Sequence, residues 1–116
     1  MSRRKDYPET PDGRYFVSKG RLWRKTDPRL DDSTRRAAVK ALMLARRAVF
    51  QAKTEDETRA ARERVHEAKC RLGERGPVWW DDGAPDEGGR HPMNSSYDGW
   101  WAGLSDEARA EGEGRS

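Results

Sequence analysis

Short runs of apolar residues near the start of the chain predict a β-hairpin. The runs Tyr15–Ser18 and Arg21–Arg24 are rich in β-forming residues and are separated only by Lys19-Gly20. A two-residue loop with glycine second is typical of a tight hairpin turn. This loop sets a register in which Phe16 faces Trp23, with apolar pairs on both faces. An isolated hairpin is only marginally stable, so we expect it to pack on other elements.

Two amphipathic helices are predicted next. Asp31-Asp32-Ser33 provides capping and acidic groups for a helix that begins near Thr34 and continues to about Lys53. Thr54–Glu57 fits a capping box, which starts a second helix that should end at Gly73. Apolar residues recur at spacings of three and four in both helices. In the first these are Ala38, Val39, Leu42, Met43, Val49 and Phe50, and in the second Ala61, Val65, Ala68 and Leu72.

These elements predict an α+β fold, in which the N-terminal β-hairpin packs on an antiparallel αα-hairpin and an irregular Trp-rich C-terminal segment wraps back over them. The second helix has mainly alanine on its apolar face and therefore offers little burial energy. We expect large aromatic residues to complete the core. The candidates are Phe16, Trp23, Trp79, Trp80, Tyr97, Trp100 and Trp101.

The pattern also predicts where ordered structure begins and ends. Residues 1–11 have the composition of a flexible basic arm, and residues 105–116 that of an acidic disordered tail. Between them we expect a single small domain over residues 12–104. Its parts are the β-hairpin at 12–25, the helical hairpin at 33–72 and the Trp-rich segment at 77–101.

Composition limits the classes of protein to which this chain can belong. Leu, Val and Phe total 13 of 116 residues and there is no Ile, which excludes a large buried core. The single cysteine, Cys70, excludes a disulfide scaffold, and no apolar run is long enough to span a membrane. Because no signal-peptide pattern follows Met1, we expect a cytoplasmic protein without membrane partners.

Charge divides the chain into two parts of opposite sign. Residues 1–76 contain 21 Lys and Arg against 12 Asp and Glu, whereas residues 77–116 contain 3 against 9. A basic region of this kind attracts nucleic acid or acidic proteins, and an acidic tail can compete for the same surface.

Two sequence blocks resemble a family of small uncharacterised bacterial proteins. They are Gly20–Arg24 (GRLWR) and Gly73–Asp86 (GERGPVWWDDGAPD), and the similarity extends over roughly residues 12 to 101. The resemblance implies a bacterial cytoplasmic origin and a shared fold. It supplies no catalytic residue, because the family has no established activity. Residues 87–91 are more glycine-rich here than in that family.

Two constellations suggest chemistry. His66 and Cys70 lie four residues apart on one helix face, as two metal ligands do, but no further ligand pattern accompanies them, so we expect no metal and no cofactor. An enzyme site is a third hypothesis for the segment between Asp81 and Tyr97, which also contains Asp82, Asp86 and His91. Asp beside Gly and Pro is equally typical of turns.

Nucleic-acid binding has the broadest support from the sequence. Cations recur along the first helix and decorate the hairpin beside Trp23, which is expected either in the core or as a stacking surface for a base. The alternative is a protein-interaction module or a homodimeric helical-hairpin adaptor, because so many tryptophans are hard to bury in so small a core. The candidate nucleic-acid-binding residues are Arg21, Trp23, Arg24, Lys25, Arg46 and Arg47.

Overall fold

A computed structural model describes residues 7–114. The chain divides into two compact units. The hairpin unit comprises the described residues up to Lys25 together with those from Gly83 onward, and the helical unit comprises Thr26–Asp82. The mixed α+β class is confirmed, with an antiparallel hairpin first and an antiparallel helix pair second. The residues expected to form a single domain are shared between the two units.

The hairpin has the predicted register. Strands β1 (Tyr15–Ser18) and β2 (Arg21–Arg24) pair antiparallel, and Phe16 faces Trp23 across them. Gly20 and Lys19 both have positive φ, as a two-residue turn of this kind requires. The turn sequence therefore determined the register correctly.

Side chains of the hairpin alternate between a buried and an outer face. Tyr15, Val17, Leu22 and Arg24 are buried, whereas Phe16 is half-buried and Trp23 is 43% exposed. The prediction that Phe16 and Trp23 complete the core is therefore wrong for Trp23. Because side chains alternate along a strand, burying the Val17–Leu22 pair turns the Phe16–Trp23 pair to the other side.

Backbone hydrogen bonds extend the hairpin at both edges. On the β1 side, the Val17 amide donates to the Pro8 carbonyl, so residues 7–11 of the predicted flexible arm are ordered. Residues 1–6 of that arm lie outside the described residues. On the β2 side, the Leu22 amide donates to the Arg90 carbonyl and the Gly89 amide donates to the Leu22 carbonyl. The C-terminal segment therefore lies along the hairpin.

The predicted disordered tail contains a helix. After a 3₁₀ turn at Pro92–Asn94 and the short helix α3 (Asp98–Ala102), helix α4 spans Asp106–Gly112. The Ser105 hydroxyl accepts from the Ala108 amide at its start, and the Gly112 carbonyl accepts from the Gly20 amide. These tertiary contacts order residues that composition alone marks as disordered.

The helical unit is built from α1 (Asp32–Gln51) and α2 (Glu55–Arg71). The Asp31 side chain caps α1 by accepting from the Thr34 amide, and the Thr54 hydroxyl caps α2 by accepting from the Glu57 amide. Gly73 follows α2 with φ +80°, as predicted for a helix stop. The core between the helices contains Ala38, Leu42, Ala68 and Leu72, with Leu30, Ala41 and Val65 packed against it.

One side of α1 departs from the predicted apolar face. Phe50 is 89% exposed and Met43 is 63% exposed, and Val39 beside them is also exposed. The alanines of α2 allow close approach but cover only a narrow strip of α1, centred on Ala38, Leu42 and Ala45. The apolar side chains next to this strip are therefore left at the surface.

Candidate functional site

Arg24 is a structural residue of the hairpin unit. Its side chain is 6% exposed, and its guanidinium lies 3.0 Å from the Asp86 carboxylate. An arginine held in this way is not accessible to a phosphate group. The nucleic-acid contact predicted for Arg24 does not fit this burial.

The other predicted hairpin residues lie on the outer face. Lys25 forms an ion pair with Glu9, with 2.6 Å between the Nζ and Oε1 atoms. Arg21 and Trp23 are exposed on β2, two residues apart and thus on the same side of the strand. The hairpin therefore retains Arg21 and Trp23 as accessible candidates.

Arg46 and Arg47 are both exposed on α1 but have different surroundings. Consecutive residues on a helix point about 100° apart, so the two side chains cannot share a face. Arg46 lines a groove between α1 and α2, and Arg47 is not among the residues that line it. This groove brings Arg46 together with arginines of α2 and of the turn that follows it.

The groove is lined by apolar and basic residues. Its volume is about 380 Å³. The apolar lining residues are Val49 and Val65, and the basic ones are Arg46, Arg62 and Arg75. None of the side chains that line it, within the part of the chain that the structure describes, is acidic. An anion entering the groove would meet three positive groups.

The pKa of Lys69 reflects repulsion between positive charges near this groove. Partial burial lowers the pKa of the Lys69 ammonium, and the charges of Arg75 and Arg46 lower it further, against an opposing effect of Glu74. Like charges gathered in this way weaken the folded chain unless an anion neutralises them. We name Arg46, Arg62, Lys69 and Arg75 the basic cluster.

His66 and Cys70 lie beside the basic cluster. The His66 Nε2 atom is 3.5 Å from the Cys70 Sγ atom, and its Nδ1 atom is 3.5 Å from an Arg75 nitrogen. Among the described residues no group of three or more His, Cys, Asp and Glu side chains is placed to hold a metal ion. The His66–Cys70 pair is therefore a local contact on α2.

The side chains of the hypothetical enzyme site hold the hairpin unit together. Asp86 accepts hydrogen bonds from Arg24, Tyr15 and the Gly88 amide, and Tyr97 donates to Asp12 over 2.6 Å. Burial raises the pKa of Tyr15 to about 12, and the neighbouring carboxylate of Asp86 adds to this increase.

His91 is held in a comparable way. Its Nδ1 atom accepts from the Met93 amide, and its ring packs edge-on against Trp101. Its Nε2 atom lies 3.5 Å from the Glu113 carboxylate. Asp81 and Asp82 belong to the helical unit. Asp86, His91 and Tyr97 therefore each have a hydrogen-bond partner within the protein.

Sequence reasoning missed three members of the basic cluster. None of the three, Arg62, Lys69 and Arg75, is among the predicted nucleic-acid-binding residues, and α2, which carries the first two, also carries many glutamates. A usable signal was present, since Arg62 and Lys69 are seven residues apart and therefore share a helix face with His66 between them. Arg75 joins them only because the chain turns after α2.

Within the described residues, no helix combines the length and the apolar character needed to cross a membrane. Comparison with models of protein families, with curated proteins and with solved structures finds no match to this chain. The proposed function therefore depends on the geometry of the chain itself.

Proposed function

We propose that this chain is a small non-catalytic binding protein that contacts nucleic acid through the groove between α1 and α2. The observation that supports this proposal is the basic cluster, in which Arg46, Arg62 and Arg75 line the groove beside two valines and Lys69 lies within the electrostatic influence of Arg46 and Arg75. Phosphate groups suit such a cluster, because a guanidinium group can bind two phosphate oxygens at once.

The electrostatics of the cluster favour a ligand with several charges. Ion pairs within the protein neutralise many arginines of this chain, for example Arg29 by Asp27. Lys69 instead experiences the repulsion of Arg75 and Arg46, which the charge of Glu74 opposes. A nucleic-acid backbone brings several phosphates at once and releases the counterions condensed on it, which makes its binding strong at low salt.

Binding of labelled single- and double-stranded DNA and RNA at two salt concentrations tests the proposal. The variant combines Arg46→Gln with Arg75→Gln, and the control is Arg47→Gln, an exposed neighbour outside the groove. We expect the double variant to bind more weakly and its salt dependence to flatten by about 0.7 to 0.9 in slope for each phosphate that it no longer neutralises. Affinity and slope equal to those of the control would contradict the proposal.

A protein-interaction module is the second candidate, supported by the exposed apolar stripe on α1. Val39, Met43 and Phe50 share one side of the helix and are exposed together. Helix α1 bears five cations and a single acidic residue, Asp32. In a homodimer joined through this stripe, the cations of one copy would face those of the other. An acidic partner therefore suits this stripe better than a homodimer.

Light scattering over a range of concentrations tests the homodimer form. A mass that rises toward twice the monomer value, and that returns to the monomer value in Phe50→Ser, would support it. A constant monomer mass would exclude the homodimer and leave the acidic partner as the form of this second candidate.

A further inference from the structure

The outer face of the β-hairpin presents aromatic side chains next to cations. Trp23 and Phe16 are directly paired across the strands. The Tyr7 ring packs on Phe16 with 5.8 Å between ring centroids and 32° between ring planes. Arg21 precedes Trp23 on the same side of β2 and is exposed. We name Tyr7, Phe16, Arg21 and Trp23 the hairpin platform.

The polar group of Trp23 already has a partner within the protein. Its Nε1–H donates to the Ser18 carbonyl over 2.8 Å, which fixes the orientation of the indole ring. Trp23 is nevertheless 43% exposed. The exposed part of Trp23 is therefore aromatic surface held in a fixed position, and such a surface suits stacking better than hydrogen bonding.

Hydrogen bonding at the hairpin edges argues against a peptide as the ligand. A peptide that joins a sheet as an extra strand requires an open edge. Here β1 bonds to Pro8 through Val17, and β2 bonds to residues 89 and 90 through Leu22. With both edges occupied, a ligand must approach the face of the hairpin.

We propose that the hairpin platform stacks a base of single-stranded nucleic acid on Trp23 while Arg21 contacts an adjacent phosphate. This inference rests on the proposed function and names its substrate class. A base in a duplex has both of its aromatic faces covered by neighbouring base pairs, whereas an unpaired base leaves a face free for an aromatic side chain. The platform therefore selects single strands.

The test compares the full chain with Trp23→Ala, Trp23→Phe and Arg21→Gln. The ligands are a labelled oligothymidylate, an oligouridylate and a duplex DNA of equal length. The control is Met93→Ala, which removes an exposed apolar side chain from the same unit. Circular dichroism and thermal midpoints establish that each variant is folded.

We expect Trp23→Ala to lower affinity for the single strands about 5- to 150-fold, as stacking of one base implies. Trp23→Phe should retain most of the affinity because its ring still stacks. Arg21→Gln should weaken single-strand binding and flatten its salt slope by about 0.7. Duplex affinity should be the same in the wild type, Trp23→Ala and Met93→Ala.

Failure of the platform and failure of the groove give different results. If folded Trp23→Ala and Arg21→Gln bind single strands as tightly as the wild type, the platform is overturned, and an effect of Arg46→Gln with Arg75→Gln would still support the groove. Equal losses on single and double strands in Trp23→Ala would likewise overturn the single-strand selection. Absence of binding to every ligand at low salt would overturn both proposals.

Discussion

The Arg24 guanidinium and the Asp86 carboxylate meet at 3.0 Å across 62 residues of sequence. This ion pair joins strand β2 to the segment that runs back along it. Asp86 also accepts from the Tyr15 hydroxyl, which in turn accepts from the Glu87 amide. A cation that the sequence suggests as a ligand contact is thus a central part of the hairpin unit.

Replacing Asp86 with Ala should destabilise the chain by about 1–3 kcal/mol, because the buried Arg24 guanidinium loses its carboxylate. Chemical denaturation followed by circular dichroism measures this loss. Glu107→Gln, an exposed carboxylate in the first turn of α4, is the matched control and should change stability by less than about 0.5 kcal/mol. Equal effects of the two substitutions would contradict a structural role for the pair.

The free energy of unfolding should decrease at acidic pH, in part because the Asp86 carboxylate becomes protonated. Burial alone would raise the pKa of Asp86, but the Gly88 amide, the charge of Arg24 and the Tyr15 hydroxyl together place it below the usual value of 3.8. A carboxyl group whose pKa is lower in the folded than in the unfolded state stabilises the fold at pH values above its unfolded-state pKa. This stabilisation is lost as the pH falls through the folded-state pKa. Denaturation midpoints at pH 5 and pH 3 should therefore differ less in Asp86→Asn than in the wild type. The same difference in both proteins would count against this assignment.

Gly73→Ala should be more damaging than Gly83→Ala. Both glycines have a φ near +80°, which alone costs alanine about 1–2 kcal/mol. At Gly73 a Cβ atom would also lie 2.8 Å from the Asp27 Cβ atom, whereas at Gly83 it would meet open space. Thermal denaturation should show an additional loss of about 1–3 kcal/mol for Gly73→Ala. Similar losses at the two positions would show that the space around Gly73 is not restrictive.

The basic cluster should reduce stability in the absence of a ligand. Arg75→Gln removes one of the charges that lower the pKa of Lys69, so the ligand-free chain should become more stable by about 0.2–0.5 kcal/mol. Arg47→Gln serves as the control outside the groove. Denaturation at low salt measures the gain, which should shrink at high salt because the repulsion is screened. A loss of stability in Arg75→Gln would contradict a destabilising repulsion between Arg75 and Lys69.

A larger residue at position 112 should separate helix α4 from Trp101 and Pro8. A Cβ atom at this position would lie 2.9 Å from the Trp101 ring and 3.3 Å from Pro8, so Gly112→Val should cost about 1–3 kcal/mol. Limited proteolysis should then cleave residues 105–114 faster than in the wild type. Gly99→Ala, which meets open space, is the control. Unchanged cleavage would show that α4 does not depend on this contact.

Local patterns in the sequence determined the hairpin and the two long helices, but not the short helices α3 and α4. The Lys19-Gly20 turn set the hairpin register, Thr54 with Glu57 started α2, and Gly73 ended it. These features depend on backbone conformation and on hydrogen bonds between residues close in the chain, so the sequence was sufficient to predict them.

Only the tertiary structure decided which side chains are buried and which cations meet. Arg24 lies on the buried face of β2, where Asp86 pairs with its charge, and Phe50 is exposed because the small side chains of α2 cover only part of α1. Arg75 joins Arg46 through the path of the chain after α2. Burial and charge clustering depend on contacts between residues that are distant in the sequence. The periodicity of one segment does not predict such contacts.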